Sequence, residues 1–172
     1  IYPTDVAFHD DHLYVAEYGG HDRIQVFTRD GEYVREFGTF GEALGEYSRP
    51  QSMAVIDGHL LIADACNHRI VRVQPDGTIV STFGVAGRGF GELAYPYDLV
   101  ILPDQTLLVA EFGNNRVQHF SLEGEPLGIY GGIGRGDGQL QYPWGVDSDG
   151  EAVFVVDSGN NRVQIFDTEQ LP

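Results

Sequence analysis

The sequence predicts an all-β chain, a β-propeller of four-stranded antiparallel blades with four repeats present. Three observations carry that reading. Pro3, Pro50, Pro96 and Pro143 recur at intervals of 47, 46 and 47 residues. Arg23, Arg69, Arg116 and Arg162 recur at 46, 47 and 46, and the acids Glu17, Asp64, Glu111 and Asp157 at 47, 47 and 46. Three independent markers sharing one period of this length are the mark of a repeat architecture. Each unit also reads as four short strands separated by turn residues, and no helical period competes.

The second unit shows the pattern plainly. Ser52 to Ile56 is a short apolar run, and Asp57-Gly58 supplies the positive-φ residues of a tight hairpin. Leu60 to Ala63 is a second run and Arg69 to Val73 a third, with alternation. Asp76-Gly77 turns the chain into a fourth, Thr78 to Phe83. The β-branched and aromatic residues that favour a pleated surface fill these runs. Four such strands in about 46 residues describe a propeller blade. The repeats run about 2–49, 50–95, 96–142 and 143–167. The stretches GTFGEALGEYSRP, GVAGRGFGELAYP and GGIGRGDGQLQYP lead into the next proline at a fixed offset. They are therefore expected to be ordered connections between blades.

The segments LLIADACNHRIVRV, LLVAEFGNNRVQHF and VFVVDSGNNRVQIF, with their Gly-rich, YP-ending lead-ins, resemble NHL repeats over nearly the whole chain. The resemblance implies a propeller, commonly of five or six blades, and thus a six-bladed or similar ring larger than this chain. It also implies a role as a ligand-binding sensor domain or as a protein- or RNA-binding end of a larger regulator. More rarely such propellers are lyases.

The recurring acid ends the second strand of each blade and the recurring Arg opens the third. Asp64–Arg69, Glu111–Arg116 and Asp157–Arg162 are expected to pair across the hairpin as structural clamps, with Glu17–Arg23 in blade one spanning one extra residue. Asn67, Asn114 and Asn160 sit between them as turn supports.

Strands that run alternately up and down sort the loops onto two faces. The blade-linking loops and the clamp loops share an upper face; the remaining turns share a lower one. The lower turns hold 13 of the 26 acids, from Asp10 and Asp11 to Asp167 and Glu169, with Arg29 among them. The upper face holds Arg49, Arg88 and Arg135 and most loop aromatics, including Tyr18, Phe112 and Trp144. Long, varied loops suit recognition. Candidate binding residues there are Tyr18, His21, Arg49, Cys66, His68, Arg88, Phe112, Arg135 and Trp144. Asp5 and Asp98 follow their prolines by two residues on the innermost strand. With Asp147 they make a candidate divalent-cation site at the channel mouth, with no cofactor otherwise required.

A net charge of −16, with 26 acids, 10 Arg and no Lys, repels phosphate backbones. Nucleic acid is thereby disfavoured as a partner, and a protein or small ligand favoured. No apolar stretch is long enough for a membrane span, no signal peptide is visible, and a start at Ile1 suggests a trimmed terminus. Cys66 is the single cysteine, which excludes an intrachain disulfide. His9, His12 and His59 lie at the opposite end from His21 and His68, which argues against a His-rich zinc centre. The expected function is a noncatalytic binding or scaffold module, the sensor or adaptor end of a larger protein. The alternative is a metal-dependent lyase or hydrolase. The fourth repeat stops after its third strand, so self-association or missing blades are expected.

Overall fold

The structure, a computed structural model, describes residues 1–168. Blade 1 comprises β1 (Tyr2–His9), β2 (His12–Tyr18), β3 (Arg23–Thr28) and β4 (Tyr33–Phe37). The first connector carries two short segments, β5 (Thr39–Phe40) and β6 (Glu46–Tyr47). Blade 2 follows with β7 (Pro50–Ile56), β8 (His59–Asp64), β9 (Arg69–Val73) and β10 (Ile79–Phe83). Blade 3 is β11 (Pro96–Ile101), β12 (Thr106–Glu111), β13 (Arg116–Ser121) and β14 (Pro126–Gly131). Blade 4 is β15 (Pro143–Ser148), β16 (Ala152–Asp157) and β17 (Arg162–Asp167). Each blade is an antiparallel sheet in sequence order, and the inner strands β1, β7, β11 and β15 are successive neighbours. This is a β-propeller architecture. Among the described residues blade 4 is a three-stranded sheet, and the expectation of no further strand in the tail falls on residues 169–172, outside them.

The hairpins form where turn chemistry allows. Asp10, Asp11 and Asp57 take positive φ at the first turns, a conformation in which Asp is tolerated better than most residues. Alternation along the strands gives each blade two apolar faces, and successive blades stack face to face. Between blades 1 and 2, Tyr14, Ile24 and Val26 pack against Leu60, Ile62 and Val71. Between blades 2 and 3, Leu61 and Ile70 meet Leu107, Val109 and Phe120. Between blades 3 and 4, Leu108 and Val117 meet Val146, Val153 and Val155. Tyr14, Leu61 and Leu108 share one repeat position across the three junctions, Ile24, Ile70 and Val117 a second, and Leu60, Leu107 and Val153 a third.

The connectors are ordered. Each closes on itself through a short parallel pairing: β5 with β6, Ala86 with Leu93, and Ile133 with Leu140. A side chain then caps each loop from within, as Glu46, Glu92 and Gln139 accept from the backbone N–H of Ala43, Gly89 and Gly136. Every connector starts at a glycine with positive φ: Gly38, Gly84 and Gly131. A Cβ at Gly84 would lie 2.5 Å from the Leu93 side chain, so both the turn and the close approach require glycine there.

Candidate functional site

The clamps come first because they hold the loops that carry the site. Arg69 Nε donates to Asp64 at 2.8 Å, Arg116 Nε to Glu111 at 2.5 Å, and Arg162 Nε to Asp157 at 2.8 Å; Arg23 pairs likewise with Glu17. Asp64, Glu111 and Asp157 are fully buried. In blades 2 to 4 the rest of the guanidinium grips the connector arriving from the preceding blade. Arg69 donates to the carbonyls of Glu42, Ala43 and Glu46, and Arg116 to those of Arg88, Gly89 and Glu92. Arg162 does the same to Gly136 and Gln139. Asn67, Asn114 and Asn160 join the connector to the acid, donating to Gly41, Gly87 and Gly134 carbonyls and to the clamp carboxylates. Arg23 of blade 1 instead turns its free edge to Glu36 at 2.8 Å.

Burial and hydrogen bonding compete at these acids. Burial pushes the Asp64 carboxyl up, against the bonds from Ser48, Asn67 and Arg69. At Asp157 desolvation also pushes upward, but bonds from Asn160, Gln141, Arg162 and Gln164 outweigh it and bring the carboxyl below the usual range.

A second device fixes the entry of each blade. The residues before the blade prolines, Arg49, Tyr95 and Tyr142, all have left-handed backbones with φ of 58°, 51° and 50°. Each backbone N–H there is held by the preceding blade: Arg49 by Asp22 at 2.6 Å, Tyr95 by His68 Nδ1 at 3.1 Å, and Tyr142 by Asn115 at 2.9 Å. The acceptor always immediately precedes the clamp Arg. Nδ1 of His68 accepts only when unprotonated, and burial accordingly lowers its pKa.

Two of these left-handed residues, Arg49 and Tyr142, join a row of packed rings. Arg49 lies between two rings, its guanidinium carbon 4.9 Å from the centroid of Tyr18 and 5.0 Å from that of Tyr97. Tyr97 stacks on Phe112 at 4.6 Å and meets Trp144 edge-on at 5.1 Å, while Phe112 stacks on Tyr142 at 5.0 Å. Tyr2 extends the row beyond Tyr18. A row of aromatic rings with Arg49 inside it therefore runs from blade 1, past the entry to blade 2, to blades 3 and 4. Beneath it is a cavity of about 230 Å3 lined by Thr4, Asp5, Gln51, Ser52, Tyr97, Asp98, Trp144 and Gly145. These are the first and second residues after each blade proline.

The structure brings Tyr18, Arg49, Phe112 and Trp144 together, and it brings Asp5 and Asp98 to the one cavity. Both carboxylates latch neighbouring blades. Asp5 accepts from the Met53 N–H at 2.6 Å, and Asp98 from Ser52 Oγ at 2.7 Å and the Val146 N–H at 2.9 Å. Burial, with the charge of Asp5 adding to it, pushes the Asp98 carboxyl up. Asp147 is exposed, does not line the cavity, and accepts from the Ser148 N–H. Among the described residues no group of three or more His, Cys, Asp or Glu is placed to hold a metal ion.

The other candidates lie elsewhere. His21 is exposed in the first clamp loop. His68 packs edge-on to Tyr95 at 4.6 Å. Cys66 is an exposed thiol whose pKa is raised by desolvation, which keeps it protonated at neutral pH. Arg88 lines a small cleft with Asn114 and Arg116, and Arg135 a separate one with Asn160 and Arg162. Tyr97 is the member of the row and cavity lining that the loop-based reading passed over. Its signal is its place directly after Pro96, where blade 4 has Trp144 after Pro143.

With this geometry in view, the chain can be set beside known proteins. A family model described as NHL repeat matches residues 47–73, 93–120 and 140–166, one match for each of blades 2 to 4. Protein brain tumor of Drosophila melanogaster is 31% identical over 71 residues, which is 41% of this chain and 7% of that protein. Hydrazine synthase of Kuenenia stuttgartiensis superposes with a TM-score of 0.71 at 18% identity, over 97% of this chain and 46% of that one. Virginiamycin B lyase from Staphylococcus aureus gives 0.63 at 15% identity, over 96% and 55%. The computationally designed Ika4 protein gives 0.62 at 11% identity, over 96% and 91%. The chain thus spans about half the length of the two natural solved structures and a small part of the curated relative. No helix among the described residues is long and apolar enough to cross a membrane. Blades 2 to 4 of this β-propeller are NHL repeats.

Proposed function

We propose that the chain is a noncatalytic binding module that recognises a protein segment or small ligand on its upper face. The observation that carries this is the aromatic row with Arg49 set between Tyr18 and Tyr97, lying over a polar cavity. Tyr, Trp and Arg are the side chains that concentrate binding energy at interfaces. Here they are pre-ordered by stacking and by the left-handed turns, which reduces the entropy lost on association. NHL repeats commonly serve as interaction modules, and blades 2 to 4 match that repeat. The reading needs no metal, because Asp5 and Asp98 direct oxygens at Met53, Ser52 and Val146. The enzymes among the structural relatives share the fold at under 25% identity.

Trp144 is the only tryptophan and is 47% exposed within the row, so its fluorescence reports on the site directly. A peptide array and a small-molecule library screened by this signal, with EDTA present, test the proposal. Ligands found this way are expected to lose about tenfold or more in affinity with Arg49→Ala, equivalent to about 1.4 kcal/mol. Asp76→Ala on the lower face should leave binding unchanged. Ligands that bind equally to Arg49→Ala, or turnover that EDTA abolishes, would overturn the reading.

A further inference from the structure

Every internal junction joins the forward face of one blade to the rear face of the next at fixed repeat positions. The same positions identify two faces that no described blade covers. The rear face of blade 1 presents Val6, Phe8 and Tyr33, and the forward face of blade 4 presents Val156, Val163 and Ile165. Val6 is 58% exposed and Phe8 50%; Val163 is 58% exposed and Ile165 66%. The counterparts of Val6 in blades 2 to 4 are Met53, Leu99 and Val146, all buried. The counterparts of Val163 in blades 1 to 3 are Ile24, Ile70 and Val117, also buried. Both end faces therefore have the composition of a junction half and the exposure of a surface, which is the signature of an interaction site.

We infer that a second copy of the chain covers these faces end to end, blade 4 of one copy packing on blade 1 of the other. Three features favour that occupant. The two faces are complementary halves of one kind of junction, so a copy supplies both, and two contacts related by a two-fold axis close a ring. Blade 1 is also compatible with a neighbour that brings no connector, because Glu36 accepts from Arg23 where connector carbonyls accept from Arg69, Arg116 and Arg162. The repeat positions of Glu36 in blades 2 and 3 are Thr82 and Ile129. Finally, the faces differ in charge. Blade 4 carries Asp147 where blades 1 to 3 have Ala7, Ala54 and Val100, and blade 1 carries Arg29 over the Phe8 ring at 5.5 Å.

Sedimentation velocity over a wide concentration range tests this. The chain is expected to move from 19.0 kDa toward twice that mass as concentration rises. Phe8→Glu and Ile165→Glu should each abolish the shift. An equimolar mixture of the two should restore a species of twice the mass, because one intact face of each kind remains. The less severe Phe8→Ser and Ile165→Ser serve if a charged variant loses its sheet signature in circular dichroism. A 19.0 kDa species at every concentration would overturn the inference. So would a folded single variant that still pairs, since that would mean like faces associate, or a mixture that stays monomeric. A ladder of higher multiples would overturn the closed two-copy arrangement.

Discussion

Arg116 makes four hydrogen bonds, one to the Glu111 carboxylate and three to connector carbonyls of residues 88, 89 and 92. Both members of the pair are buried. Removing the guanidinium strands a charge that water cannot reach and leaves the connector without its grip. Breaking a buried pair from one side costs about 3–5 kcal/mol. Arg23 grips no connector carbonyl and its second partner Glu36 is exposed, so although Glu17 is buried its loss costs less, about 1–3 kcal/mol. Arg116→Ala should therefore lower the thermal midpoint more than Arg23→Ala; equal midpoints would show that the connector grip carries no stability. The pairing was legible in the sequence because the acid and the Arg share the repeat period. What they grip was not, since carbonyls carry no side-chain signature. Tyr97 was hidden for a related reason: an aromatic in an inner strand reads as core until the strand's end is known to line a cavity.

At the scale of the element, the blades are joined by more than stacked faces. The acceptor before each clamp Arg reaches the N–H of the left-handed residue before the next proline. The same task falls to Asp22, His68 and Asn115 in turn. The histidine is the one of the three whose ordinary titration range lies between neutral pH and pH 5. Burial lowers the His68 pKa, so as pH falls the unfolded chain takes up a proton before the folded one does. Stability from this group is complete above the unfolded value of about 6.5 and declines as pH falls below it toward the folded value. His68→Asn installs the side chain that blade 3 already uses. Denaturant unfolding at neutral pH and near pH 5 should show the wild type losing more stability than His68→Asn across that window. Parallel losses would place the pH dependence in other groups. The strands, turns and connectors followed from period, Asp-Gly pairs and fixed offsets to proline. These junction bonds did not, because Asp22, His68 and Asn115 share a position and a hydrogen-bonding role without sharing a residue type.

At the scale of the whole molecule, shape and charge pull in different directions. Blade stacking draws the chain together, while a net charge of −16 in 172 residues repels itself in every compact arrangement. The repulsion falls heavily on the lower face, where Asp10, Asp11, Asp57, Asp76, Asp104 and Asp149 lie in exposed or half-exposed turns. At Asp76 the N–H and hydroxyl of Thr78, and at Asp149 the N–H groups of Ala152 and Glu151, hold the carboxyl below its usual range, so these turns stay charged well into acid. The favourable pairs, by contrast, are the shielded clamps. Added salt screens exposed charges over a Debye length of about 8–10 Å at physiological strength and reaches buried pairs much less. Salt should therefore relieve the repulsion while leaving the clamps intact. The thermal midpoint is expected to rise between low and physiological ionic strength by about 2–4 °C, the equivalent of roughly 1 kcal/mol for a domain of this size. Scanning calorimetry in sodium chloride would show it. A midpoint that falls with salt would mean that exposed ion pairs such as Arg29–Asp11 outweigh the repulsion, which their 3.7 Å separation and solvent exposure argue against.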